Sequence, residues 1–324
     1  AIDRLADRWR SQADRLRAAT GLDLGFAYTV LYQRLTDTRE SRDPKQGAVG
    51  DLDIFGEWSP PGTDKERDGF FGFEVEFRSR LLTSSRPADL GDSAGSLWET
   101  SNDFDTQDPS LVQLWWQHRF AKEIFRYRIG KVDQTDFFDV GSLKSADLFF
   151  TNFAFSENPA FAQPDPGWGG AVHVSWNSRW YLTAGLGDAN GSRTSMAAND
   201  FLDKNDYFTA VEFGLTPMIG GLGQGNYQFL LWHTDGRENR NEPDQPSGEG
   251  FSLRFEQYIG ERALPFVTYS RASGGAADVR QLVTAGIGLK GIFSDRDDVS
   301  GVAVAWGQPE DRSLRNQYVA ELFY

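Results

Sequence analysis

The sequence predicts an all-β protein, a transmembrane antiparallel β-barrel with a short N-terminal amphipathic helix. Three observations predict it. After residue 21 the chain divides into about 14 segments that alternate polar and apolar residues, near the roughly 9–11 residues a tilted membrane strand uses. From the third segment onward the connections sort by parity into long and short, whereas the first two are of similar length. Aromatic residues gather at the segment ends.

Composition limits the alternatives. The 324 residues carry a net charge of -14 and a pI of about 4.7, which argues against a nucleic-acid partner, since phosphate binding needs concentrated Lys and Arg. Mean hydropathy is -0.50, and no run approaches the length of a transmembrane helix. Barrel strands escape that test because they alternate. The chain has no cysteine, which excludes disulfides and thiolate metal sites. His118, His173 and His233 are scattered singly, so neither a catalytic triad nor a metal cluster is suggested. Gly91-Asp-Ser-Ala-Gly95 matches a nucleophile-elbow pattern but lacks the preceding buried strand and lies in an acidic loop, which reads as chance. No enzyme, cofactor or metal is expected. Acidic residues such as Asp103, Asp105 and Asp108 read as solvated loop. Ala1 is compatible with a mature N-terminus after removal of a leader.

Residues 1–20 form the first unit. Ile2, Leu5, Trp9, Leu16 and Ala19 recur at steps of three and four, with Arg8, Arg10, Arg15 and Arg17 elsewhere and Gly21 at the C-cap position. Residues 21–324 form the barrel. Its first strand sets Leu22, Leu24, Phe26, Tyr28, Val30 and Tyr32 on one parity. The second places Asp51, Asp53 and Glu57 on one side. The third, Phe71 to Leu81, is apolar at Phe71, Phe73, Val75, Phe77 and Leu81 and charged at Glu74, Glu76, Arg78 and Arg80. Such a strand fits a soluble sandwich with a wet outer face or a barrel with a wet lumen. The fourth and fifth, Leu111–Phe120 and Ile124–Val132, repeat the pattern with Gln113, Gln117, Arg126 and Arg128 on the polar side. Nine more follow, ending with Gln317–Tyr324.

Loop lengths favour the barrel. Long connections follow strands three (83–110), five (133–167), seven (188–206) and nine (235–250), whereas short ones follow four (121–123), six (177–179), ten (260–263) and twelve (294–298). An outer-membrane barrel whose chain starts in the periplasm sorts its loops this way; a sandwich has no reason to. Trp58, Trp116, Trp176, Trp180, Tyr258 and Trp306 lie at or near strand ends, as interfacial girdles require.

A resemblance adds to this. Arg126-Tyr-Arg-Ile-Gly-Lys-Val-Asp-Gln-Thr-Asp-Phe-Phe-Asp139 resembles the signature of the carbohydrate-selective, OprB-like porins. Asp147-Leu-Phe-Phe-Thr-Asn-Phe153, Phe155, Asn158-Pro159 and Gly167-Trp-Gly-Gly-Ala171 look like that family's next loop and sixth strand. Trp306-Gly-Gln-Pro-Glu-Asp-Arg-Ser-Leu-Arg-Asn-Gln-Tyr318 through Glu321-Leu-Phe-Tyr324 is a second match. The resemblance implies a Gram-negative outer-membrane channel passing glucose-like sugars by passive diffusion. Its partners would be sugars, outer-membrane lipid and lipopolysaccharide, with homo-oligomers possible. It also implies about 16 strands, so the sequence is expected to stop two strands short, the alternative being a smaller complete barrel.

A sugar is neutral and multiply hydroxylated, and its binding needs donors, acceptors and aromatic faces that release as well as hold. The lumen parity supplies Glu74, Glu76, Arg78, Arg80, Arg126, Arg128, Glu212, Arg254 and Glu256. The 133–167 loop is too long to be idle. Its apolar run, including Phe149, Phe150 and Phe153, is expected to fold inward and shape the constriction, with Asp133 and Asp136 facing the arginine strand. Arg126 and Arg128 are expected to donate to hydroxyls, and Glu74 and Glu76 to accept. A channel for small anions or dicarboxylates is the alternative in the same class. A soluble carbohydrate-binding β-sandwich is the alternative in another.

Overall fold

The computed structural model describes residues 2–102, 104–120, 124–176, 179–237, 244–292 and 298–324, with only the backbone of residues 2–10, 66–67 and 199–200. The side chains of Ile2, Leu5, Arg8, Trp9 and Arg10 therefore lie outside the described residues. So do Asp103 and most of the turns expected at 121–123, 177–179 and 294–298.

Fourteen barrel strands run in order: β1 (Leu22–Arg34), β2 (Gln46–Trp58), β3 (Phe70–Arg80), β4 (Gln107–Phe120), β5 (Phe125–Val132), β6 (Gly167–Trp176), β7 (Trp180–Asp188), β8 (Tyr207–Leu215), β9 (Gly223–Thr234), β10 (Gly248–Gln257), β11 (Ala263–Ser273), β12 (Val279–Lys290), β13 (Val299–Pro309) and β14 (Gln317–Phe323). Each pairs antiparallel with its sequence neighbours in one sheet, and Met218–Ile219 adds a two-residue ladder at the β8–β9 turn. Several strands begin or end further toward the long loops than apolar alternation indicates. Ladder hydrogen bonds need no apolar side chain, so β4 starts at Gln107 rather than Leu111.

The outward parity is mostly apolar, and many of its side chains are exposed. Phe26, Tyr28, Val30 and Tyr32 on β1, Val211 and Phe213 on β8, and Val302 and Val304 on β13 all face outward. Exposure on this scale fits lipid, not water. Trp58, Trp176, Trp180 and Tyr258 are exposed at the short-turn rim, where a girdle belongs.

The helix α1 (Ile2–Thr20) meets the barrel at Gly21, whose φ of +75° and close approach exclude a side chain. A Cβ there would come within 1.8 Å of the Ser59 carbonyl oxygen. Trp58 Nε1 donates to Thr20 O at 3.0 Å, fixing the helix end to the rim.

Among the described residues no ladder joins β1 to β14. The loop between β3 and β4 reaches both edges. Gln33 of β1 exchanges hydrogen bonds with Thr100 (Nε2 to O, 3.0 Å; Thr100 Oγ1 to Oε1, 2.9 Å). Gln317 of β14 accepts from Leu97 N and donates to Ser96 Oγ. The sheet is thus rolled far enough for one short stretch to touch its first and last strands.

The core is inside the roll. Residues of the 133–166 loop pack on the inner faces of the later strands: Leu143, Phe150 and Phe155 against Leu264, Phe266, Leu282 and Ala303. Phe138 and Phe161 pack against Phe208, Leu230 and Trp232. The wall from β10 to β14 and the long-loop ends of β8 and β9 are therefore covered by loop, and the remaining space borders the earlier strands and the short-turn ends of β8 and β9.

Candidate functional site

Wall carboxylates hold the inward loop by its backbone. Glu212 on β8 accepts from Asp139 N at 2.8 Å, Glu256 on β10 from Ser142 N at 2.9 Å, and Glu321 on β14 from Thr151 N at 2.8 Å and Asn152 N at 3.1 Å. A buried amide hydrogen needs an acceptor, and a carboxylate makes the stronger, charge-assisted bond. Arg254, 4% exposed, donates to Glu256 and to Thr268 Oγ1 and lies over the Phe266 ring. Asp139 pairs with Lys144 at 2.6 Å and accepts from Asn158 Nδ2. Phe150 is fully buried between Phe155, Phe266 and Phe323; Phe149 also packs on Phe323. Phe153 starts a helical turn capped by Asn152, and it borders a cavity. Glu212, Arg254, Glu256 and Phe150 thus seat the loop.

The group facing open space centres on Arg128. Its guanidinium lies 4.1 Å from the Trp115 ring and 5.1 Å from the Phe137 ring, pairs with Asp136 at 2.6 Å and donates to Gln117 Oε1 at 3.2 Å. Trp115 and Gln117 come from β4 and Phe137 and Asp136 from the loop, so wall and loop grip the same side chain. Gly130, one step after the strand's last lumen arginine, has φ +142°, and a Cβ there would strike Leu114 O at 2.2 Å. The Arg128–Asp136 pair borders two cavities. One, of about 490 Å³, takes Phe55, Glu57, Glu74, Gln113 and Trp115. The other, of about 290 Å³, takes Arg126, His173, Tyr181, Asn226 and Gln228.

A second ionic cluster lies on β2 and β3. Arg78 donates to Asp51 Oδ2 at 3.0 Å, to Asp105 at 3.1 Å and to Glu76. Glu76 also accepts from Gln107 at 2.9 Å and from Arg193 at 3.0 Å. Asp51, Asp53 and Glu76 bring oxygens within 4.8 Å of one another, the one grouping with cation-ligand spacing among the described residues. Arg78 takes an oxygen of Asp51 and one of Glu76. The adjoining cavity, of about 200 Å³, is lined by seven carboxylates, Asp147 among them, against Arg78 and Arg193. Glu74 accepts from Gln113 Nε2 at 2.9 Å. Arg80 is exposed at the strand end and donates to Ser84 O. Asp133 caps the turn after β5 through Thr135 N and Oγ1. Enclosure by the wall, then the nearby Asp136 carboxylate, pushes Asp133 up to about 6. Asp136 is raised by the same enclosure, opposed by Arg128.

A model of the carbohydrate-selective porins, the OprB family, matches residues 84–324. The chain belongs to that family. Membership of that porin family places it in the outer membrane of Gram-negative bacteria. The porin is 25% identical over 242 residues to Porin AaxA of Chlamydia trachomatis (serovar A), covering 72% of this chain and 50% of that one. Against Porin AaxA of Chlamydia felis it is 28% identical over 219 residues, 66% of this chain and 47% of that one. It spans about half the length of these curated relatives. A solved structure of Pseudomonas putida OprB at high pH superposes with a TM-score of 0.73 at 15% identity, covering 94% of this chain and 79% of that one. The soluble-sandwich alternative falls with these findings and with the single continuous sheet.

Sequence reading missed several groups. Arg193 comes from the β7–β8 loop, where no periodicity assigns a direction. Lys131, 1% exposed, donates to Leu111 O at 3.1 Å and Arg193 O at 2.9 Å, and so holds that loop against β4. Its parity counted as outward, and only the glycine before it hinted at an irregular ladder.

Proposed function

We propose that this porin passes neutral sugars by passive diffusion through the space between the inward loop and the earlier strands. The observation that carries this reading is the setting of Arg128: a guanidinium stacked on Trp115 and paired with Asp136, bordering a cavity on either side. Such a group offers hydrogen-bond donors to hydroxyls beside an aromatic face that suits a sugar ring's apolar side. Arg126 on the same strand adds donors; Glu74, Gln113 and Asp136 add acceptors. Opposite charges fixed by one another hold a solute without trapping it, because each retains a partner when the solute leaves. Outer-membrane lipid covers the apolar exterior in this reading.

The anion or dicarboxylate alternative requires arginines to outweigh acids in the passage. The lining of seven carboxylates against two arginines beside Glu76 weighs against it. The test is single-channel conductance in planar bilayers with and without glucose. The current through the open channel is expected to fall with rising glucose. A pore indifferent to every sugar tried, or no pore, would sink the proposal.

A further inference from the structure

The cavity of about 290 Å³ beneath the loop holds features that seating the loop does not explain. It lies in the short-turn half of the lumen, on the far side of the Arg128–Asp136 pair from the larger cavity. Gln228 of β9 is 5% exposed, and its amide nitrogen donates to Val140 O at 2.8 Å and Tyr181 Oη at 3.1 Å. Those two bonds fix which end of the amide is nitrogen. Among the described residues its oxygen has no protein partner, and neither has Oδ1 of Asn226, two residues earlier on the same strand face. Tyr181 is itself held. Its hydroxyl donates to Glu212 at 2.8 Å, its ring stacks on His173 at 5.3 Å, and it lies flat over Gly214, where a Cβ would come within 2.0 Å of the ring. The two side chains with unmatched oxygens thus stand beside a fixed aromatic pair.

We infer that this cavity is a second saccharide subsite, in which sugar hydroxyls donate to the Asn226 and Gln228 side-chain oxygens. The inference rests on the sugar-channel reading and deepens it. Two acceptors without donors favour a ligand with hydroxyl hydrogens, as a polyol has, so that gluconate, a polyol with a negative charge, tests charge alone. Formal charge agrees. Arg126 and Arg128 stand against Asp136 and Glu212, so with histidine counted neutral the lining is balanced and favours no net charge in the ligand. Sharing Arg128 and Asp136 with the larger cavity, the subsite gives a sugar a second resting position beside the first.

The test uses the full chain in planar bilayers, with glucose as the probe and gluconate as the anionic comparison. In the double variant Asn226→Leu, Gln228→Met, the glucose concentration that halves the current is expected to rise about tenfold, as for loss of two ordinary hydrogen bonds. Asn226→Asp keeps an acceptor and is expected to titrate like the wild type. The heat-dependent electrophoretic shift of a folded barrel verifies each variant; if the double variant does not fold, Asn226→Leu alone carries the test, with about a threefold rise expected. If glucose blocks the wild type and Arg128→Ala weakens that block, but loss of both amides leaves it unchanged, the subsite is overturned and the sugar channel stands. Gluconate blocking better than glucose would also overturn it. A wild-type current indifferent to glucose would overturn the sugar-channel reading beneath it.

Discussion

Arg128 is held by four neighbours on two chain segments, and each removes some of its freedom. Stacking on Trp115 is worth about 0.5–2 kcal/mol and the Asp136 pair a similar amount where partly shielded. Arg128→Ala is expected to raise KCl conductance, by widening the passage, and to weaken glucose block about tenfold; single-channel titration reads both. A second residue-scale prediction concerns pH. A carboxyl raised to about 6 is ionised at pH 7 and protonated at pH 5, so Asp133 loses its negative charge as pH falls through that value. The preference for K⁺ over Cl⁻, read as reversal potential in a KCl gradient, is expected to fall between pH 7 and 5 and to move less in Asp133→Asn. At this scale strand parity sets Arg126, Arg128, Glu74 and Glu76 opposite the apolar face, and each of them borders a cavity. It gave the same standing to Glu212, Arg254 and Glu256, which differ only in what lies over them. Which wall segment a distant loop covers is a tertiary fact that alternation does not carry.

In the proposed channel, the element that narrows the roll is the 133–166 loop, which packs on the inner faces of the later strands. Its inward course was legible, because a run with Phe149, Phe150, Phe153 and Phe155 cannot remain in water. Its partners were not, since any apolar inner face would serve the same end. They prove to be Leu264, Phe266, Leu282 and Ala303, with carboxylates on β8, β10 and β14 taking its amide hydrogens. Phe150 is the central anchor, and truncating such a side chain costs about 3–5 kcal/mol. Phe150→Ala is therefore expected to loosen the loop before it unfolds the wall. Current traces should show larger mean conductance and frequent brief transitions, while strand content by circular dichroism stays as in the wild type. Quiet traces at wild-type conductance would count against the loop as the narrowing element.

The whole molecule places apolar side chains on both sides of one sheet, toward lipid outside and toward its own loop inside. Mean hydropathy is low because charged residues fill the N-terminal helix and the loops as well as the inner face. The lipid face carries a definite expectation. Leu231→Arg, on the exposed outer parity of β9, is expected to destabilise insertion by about 2–4 kcal/mol near the bilayer midplane. Reversible urea unfolding from lipid vesicles measures it; a shift under about 0.5 kcal/mol would contradict a lipid-facing position there. The uneven filling of the interior has a further consequence. Over the arc from β10 to β14 the inner side chains are committed to holding the loop, whereas over β1 to β9 many of them line cavities that, in the proposed channel, meet the solute. Solute preference and structural integrity are therefore written on different arcs of one wall. A lineage can retool what it admits by exchanging side chains on the first arc while the second keeps the passage narrow.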